Sequence, residues 1–389
     1  MAATGPMAAS LRQGLVGLLA FLPFLCSVPM DSHAAAFSLS PRGTKYEQHV
    51  TEKNSNWWQR TVALLARQDV LHFREPVHEE ITNRIYGCDK DQSVCGDPEV
   101  EYAGPFVQAG VRWNDDPPFQ LQPGEGKHTA CKVAETIGVA TQPVTIRVTT
   151  QPVCWVQIFE NAKRLAAGGN VPDASNHASL LARSHFGDLQ FLHAMASQDG
   201  EAAAETQRRV LMWAEFCWKV ATGTYGLDTK LQDVDIPGFA DFFGKSGWTV
   251  QDIFTVGNEA LRPHINEVAF GSILHTVEDS FAKGHVEREH PSAAAACSAL
   301  PQFPAPPRIL EFHSYAHQDE HKHARYDTRD AFEQEAQADS PSVVPVGRPL
   351  RDFFQGRAGW ETVRPYLDCV FAVADPEAKA SPGAEFAAE

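Results

Sequence analysis

The chain has 389 residues, with 33 Lys and Arg against 49 Asp and Glu, and a formal net charge of −16. Hydrophobic residues make up 43% and charged residues 21%, which excludes wholesale disorder, collagen-like and coiled-coil architectures and small disulfide scaffolds. The acidic balance disfavours partners bound through basic surface, such as duplex DNA, while 16 His and eight Trp stand out.

The first feature along the chain is Gly14–Val28, GLVGLLAFLPFLCSV, preceded by Arg12 and followed by Ala34-Ala35-Ala36. A charged start, a short apolar core and a small-residue exit predict a secretory signal peptide over residues 1–36, cut near Ala36. The apolar run is shorter than the ~20 residues that a bilayer span needs, so no transmembrane anchor is expected here, or in the less apolar chain that follows. Export to the periplasm or the medium would permit disulfides. Cys26 would leave with the signal, and Cys88–Cys95 and Cys131–Cys154 are the expected pairs. The seven Cys that remain leave at least one thiol free, with Cys217 the candidate.

Helical spacing then dominates: Trp57–Gln68, Val77–Tyr86, Trp155–Leu165, Ala174–Ala196, Glu201–Ala221, Ile265–Phe281 and Tyr326–Ala336 repeat apolar residues every three or four positions. Val144–Thr150 alternates and is β-branched, which predicts a small hairpin with Val153–Val156. Long loops are expected at Asp115–Gln142, Thr224–Gly247 and Glu289–Pro307, and a disordered tail from Asp375 to Glu389. These signals predict one mostly helical domain spanning residues 37–374.

His and Asp recur where helices would present them together. His275 and Asp279 are four apart, on one face of an apolar helix, and His285 follows six residues later. An imidazole nitrogen and a carboxylate oxygen suit zinc at about 2.0–2.2 Å. A solvated surface pair is the commoner meaning of that spacing, but a charged pair within an apolar helix needs a partner or an ion. Four His, at 313, 317, 321 and 323, fall within eleven residues, and His323 with Asp327 repeats the spacing. His78, the adjacent Asp115 and Asp116 after Trp113-Asn114, and Ser184-His185-Phe186 are more isolated; each alone more often marks a cap, a turn or a satisfied core His.

Together these residues resemble the zinc-dependent phospholipases C and the related zinc-dependent single-strand nucleases. Leu274-His275-Thr-Val-Glu-Asp279 with His285 is similar to the family's LHxxxD and its following His. Ser184-His185-Phe186 is similar to its SHF, and Trp113-Asn-Asp115 to its W-x-D. His78 and the pair His323–Asp327 resemble the first and last ligands, and all five motifs fall in the family's order.

The resemblance implies an all-α secreted domain with two or three zinc ions. Asp115, His185, His275 and Asp279 would hold one ion, His285, His323 and Asp327 a second, and His78 with Asp279 would contribute to a third. The family completes that third site with an N-terminal Trp, whereas cleavage here would leave Phe37 or a near neighbour, with Trp57 and Trp58 internal. The segment between His285 and His323 is longer than the family norm, so His317 or His321 could replace His323.

The implied activity is hydrolysis of a glycerophospholipid, phosphatidylcholine foremost, to diacylglycerol and a phosphorylated head group. It would act on a membrane or micelle surface as a monomer with no nucleic-acid partner. Asp115 is the expected general base, with Asp116 as fallback, and Trp57, Trp58 and Phe186 could contact choline or pack in the core. The alternatives are a zinc-dependent single-strand nuclease or nucleotidase, and a non-enzymatic secreted zinc-binding protein. The sequence has no G-x-S-x-G elbow, Walker loop or dinucleotide fingerprint to support other chemistries.

Overall fold

The computed structural model describes residues 38–40, 43–45, 48, 75–88, 92–97, 99–117, 119–120, 145–146, 152–176, 179–255, 259–290, 295–336 and 341–388. The expected signal peptide, the helix Trp57–Gln68, Cys131 and most of the loop from 115 to 142 lie outside them.

Most described elements are helices, accompanied by three two-stranded antiparallel sheets. The early helices are α1 (Val77–Ile85), α2 (Gln92–Cys95), α3 (Pro105–Val111), α4 (Pro152–Ala167) and α5 (Leu180–Phe186). They are followed by α6 (Ala203–Ala221), α7 (Phe239–Phe243), α8 (Val250–Thr255) and α9 (Ile265–Asp279). The last four are α10 (Glu320–Ala324), α11 (Arg329–Ala336), α12 (Val343–Gln355) and α13 (Trp360–Val370). The strands are β1 (Phe119–Gln120), β2 (Thr145–Ile146), β3 (Val286–Arg288), β4 (Ala295–Cys297), β5 (Leu300–Ala305) and β6 (Ile309–Phe312).

The core is organised around α9, which is apolar almost all round because it is enclosed on every side. On one side, α6 contributes Trp213 and Phe216, which join Trp113 and Phe254 in an aromatic cluster. On another side, α3 crosses α9 at Gly110 and Gly271. A Cβ on Gly110 would overlap the Val268 carbonyl, and one on Gly271 the Val107 carbonyl. Only hydrogen at those two positions lets the main chains touch. This crossing sets the distance between the residues that follow α3 and those on the last turns of α9.

Several expectations change. Ala174–Ala196 is not one helix: a 3₁₀ turn at Ala174–Asn176, α5, and a second 3₁₀ turn at Gln190–His193 replace it. The break falls at Gly187, where a Cβ would collide with the Pro172 carbonyl. β2 is real but pairs with β1, because residues 153–156 are helical. Pro152 is well placed in a first helical turn, and Trp155, Phe159 and Ala162 line one buried face of α4.

The expected loop at Glu289–Pro307 contains the β4–β5 hairpin, which the Cys297–Cys369 disulfide ties to α13. Its Ala- and Pro-rich composition hides the strands. Cys88–Cys95 is bonded as expected, Cys154 is also disulfide-bonded, and Cys217 is free and buried. Such bonds fit an oxidising, non-cytosolic setting. No helix among the described residues is long and apolar enough to cross a membrane.

The tail expected to be disordered is packed through residue 388. Ala380 and Phe386 are buried, and Gly383 supplies a left-handed turn at φ +82°. The main chain bonds to the loop before α10 through Ser314 N–Ser381 O at 2.9 Å and Asp319 N–Phe386 O at 2.6 Å. Two apolar anchors and a turn outweigh the polar composition that suggested disorder.

Candidate metal centre

Six segments deliver His and Asp side chains to one buried place. His78 comes from the first turn of α1, Asp115 from the turn after α3, and His185 from α5. His275 and Asp279 lie one turn apart at the end of α9, followed by His285 in the turn before β3. His323 comes from α10 and Asp327 from the turn beyond it. All eight are buried, and the most exposed, Asp327, is at 3%. His317 and His321 are exposed, so His323 is the member of the tract that joins the group; His317 instead bonds Asp199 at 2.9 Å.

The distances link these residues into a chain of overlapping triads. His275 Nε2 is 2.9 Å from Asp279 Oδ2 and 3.7 Å from Asp115 Oδ1. His78 Nε2 is 3.3 Å from Asp279 Oδ1 and 3.8 Å from Asp115 Oδ2. A ninth residue, His193, sits between them, its Nδ1 2.9 Å from Asp279 Oδ2, 3.1 Å from His275 Nε2 and 3.6 Å from Asp115 Oδ1.

Within this cluster, donor atoms that lie within 4.8 Å of one another form four of the groups found among the described residues: His78/Asp115/His275, Asp115/His185/His193, His193/His275/Asp279 and His285/His323/Asp327. The last lies next to the others, with His285 Nδ1 3.6 Å from Asp279 Oδ2. His185 and His275 therefore fall in different triads, joined through Asp115 and His193, where the resemblance implied one set.

Neighbouring acceptors orient the rings. His78 Nδ1 is 2.6 Å from Glu278 Oε2, and the other oxygen of Glu278 accepts from the Thr82 hydroxyl at 2.6 Å. His185 Nδ1 is 3.0 Å from the Leu181 carbonyl, His285 Nδ1 is 2.8 Å from the His193 carbonyl, and His323 Nδ1 bonds Gln318 Oε1. A proton on Nδ1 in each leaves the Nε2 lone pair as the donor, the arrangement that metal-ligating histidines show. Gly284 matters locally, since a Cβ there would strike the His323 ring.

Charge and hydrogen bonding decide what this arrangement can do. Both carboxylate oxygens of Asp327, Oδ1 of Asp279, Nε2 of His193 and Nδ1 of His275 are buried with no hydrogen-bond partner. Leaving one such polar atom unsatisfied costs about 1–3 kcal/mol, and an ionised carboxylate costs more. Burial pushes the Asp327 carboxyl well up, and the negative Asp279 adds to it. Burial also raises Glu278, offset in part by His78.

Asp279 ends well below the usual carboxylate range, because the surrounding imidazoles of His275, His285 and His193 outweigh its desolvation. His78 is lowered by burial, but Asp279 and Glu278 more than reverse this and hold it well above the ordinary value. Burial lowers His193. Carboxylates and imidazoles this close, desolvated and short of donors, fit one or more metal cations. Imidazole with carboxylate favours a borderline divalent ion over calcium or magnesium.

His193 and Glu278 were not anticipated from the sequence. His193 is hidden because residues 174–196 look like one continuous helix, and the break at Gly187 was the available sign. Glu278 adjoins Asp279, yet its spacing from His275 matches no ligand pattern. Compared with protein families, curated proteins and solved structures, the chain matches none.

Proposed function

We propose that the chain is an exported zinc-dependent phosphodiester hydrolase of phospholipase C type, which cleaves glycerophospholipids on the glycerol side of phosphorus. The observation that carries this reading is the sharing of donors. Asp115 and His193 each belong to two triads, and so does His275. Such sharing supports adjacent ions rather than one isolated structural ion. His78, Asp115, His185, His193, His275 and Asp279 would hold one part of the centre, and His285, His323 and Asp327 the other. Zinc ions so held would supply positive charge against the phosphodiester and lower the pKa of water toward about 7.

The residues of the chain do the remainder. Asp115 is the general base, its carboxylate oriented among His78, His193 and His275 and able to accept a proton from the attacking water. Asp116 is buried beside it in sequence and is the fallback. Glu278, braced by Thr82, holds His78 with Nε2 toward the two aspartates. Half-buried Phe186 and Tyr315 lie at the edge of the group, 6.5 Å apart between centroids, and provide aromatic faces on which a quaternary ammonium head group could rest.

Ser38, two residues past Ala36, bonds the Asp327 carbonyl at 3.1 Å and accepts from the Val77 amide at 2.8 Å. A chain shortened by export would therefore begin beside His78 and Asp327.

Purified chain should release phosphocholine from phosphatidylcholine, lose this activity to a chelator and regain it with zinc. A zinc-loaded, folded protein that releases none would end the proposal. Faster cleavage of single-stranded DNA than of lipid would transfer the same residues to nuclease chemistry.

A further inference from the structure

A second group of donors lies outside the centre, on the β3–β6 ribbon. Glu287 and Glu311 are direct register partners across this antiparallel pair, and His313 follows β6. One donor atom from each of the three lies within 4.8 Å of the other two. Two like charges placed opposite each other weaken a strand pair, so the acidic pair alone argues for nothing.

The imidazole changes this. His313 is only 3% exposed, and its Nε2 is buried with no hydrogen-bond partner. Its Nδ1 is 3.1 Å from the Gly284 carbonyl. With the proton on Nδ1, the lone pair on Nε2 is left for an ion. The packed tail encloses the ring. Gly383 lies so close that a Cβ would overlap it, Phe386 sits 5.5 Å away between centroids, and the Ser381 hydroxyl donates to Glu311.

We propose that Glu287, Glu311 and His313 form a separate site for one divalent ion of the zinc type, bound through two carboxylates and one imidazole. Glu287 is exposed, so the ion can be exchanged with solvent. Hard ions such as calcium prefer more oxygen donors than this group offers. The ion neutralises the Glu287–Glu311 repulsion and clamps β3 to β6. The clamp reaches the main centre through the backbone, because the His313 amide donates to the His285 carbonyl at 2.8 Å. The site does not depend on hydrolase activity.

The test is the zinc content of the full chain after equilibrium dialysis, measured for wild type, Glu287→Gln and His185→Gln. Glu287→Gln, at an exposed position that should not disturb folding, should lose one zinc equivalent. His185→Gln should lose zinc from the main centre yet keep the Glu287-dependent equivalent, so adding Glu287→Gln to it should remove one more. Equal zinc content in wild type and Glu287→Gln would overturn the proposal, whatever the protein does to lipids.

Discussion

Glu278→Gln is the substitution that most directly probes how the centre is held. The side chain is fully buried, and its two oxygens engage His78 Nδ1 and Thr82 Oγ1 at 2.6 Å each. Glutamine has nearly the same shape, and its oxygen can still accept from His78. Its amide, however, must face the Thr82 hydroxyl, and the negative charge that makes the imidazole a stronger donor is gone. Loss of such an outer carboxylate weakens metal binding by about 10–100-fold, which is about 1.4–2.8 kcal/mol at 1.4 kcal/mol per tenfold. Zinc competition against a chromophoric chelator should show this weakening in the ions nearest His78, with the fold retained by circular dichroism. Unchanged affinity in a folded variant would refute the idea that Glu278 orients a ligand.

Two further outcomes follow from the fold. Gly271→Ala should destabilise the protein by about 1–3 kcal/mol through overpacking, although alanine in an open helix would gain roughly 0.5–1 kcal/mol over glycine; a higher unfolding midpoint in urea would contradict the close crossing with α3. Burial pushes Glu335 from its ordinary 4.5 up to about 8, against the opposing influence of the Val343 amide and Arg288. A raised folded-state value means that its contribution is fully present below pH 4.5 and lost as pH rises through 8. Glu335→Gln should therefore gain stability over wild type progressively across that range and hold a constant advantage above it, as read from urea midpoints at several pH values. A difference independent of pH would count against the assignment.

The helices α1, α6 and α9 were legible in the sequence because their apolar residues recur every three or four positions without a breaker, α6 burying one side and α1 and α9 being enclosed almost entirely. So was the pair His275–Asp279, which one turn of α9 brings together, whereas His323 and Asp327 keep the same spacing although Asp327 lies beyond the end of α10. What the sequence concealed depends on contacts between distant segments. Gly187 ends a helix because Pro172 lies against it, and the periodic pattern beyond it passes for continuation. That false continuity hid His193. α12 and α13 contain Pro349 and Pro365, which mask their periodicity, and the short β3–β6 ribbon has too few residues to alternate visibly. The tail has the composition of a disordered segment, yet Phe386 packs against rings contributed from residues some 60 positions earlier, His323 and Tyr326.

The crossing at Gly110 and Gly271 brings main chain against main chain, which leaves no side chain there to trim, and any side chain added meets backbone. Widening a site by repacking the residues between two helices requires side chains there whose volume can change. Here that adjustment is closed off, because the spacing between Asp115 and His275 is fixed by atoms common to every amino acid. If the centre holds the ions proposed, selection for a different one must exchange the donors themselves, and random mutagenesis for altered metal preference should enrich changes at the ligands and their hydrogen-bond partners rather than in the core around α9.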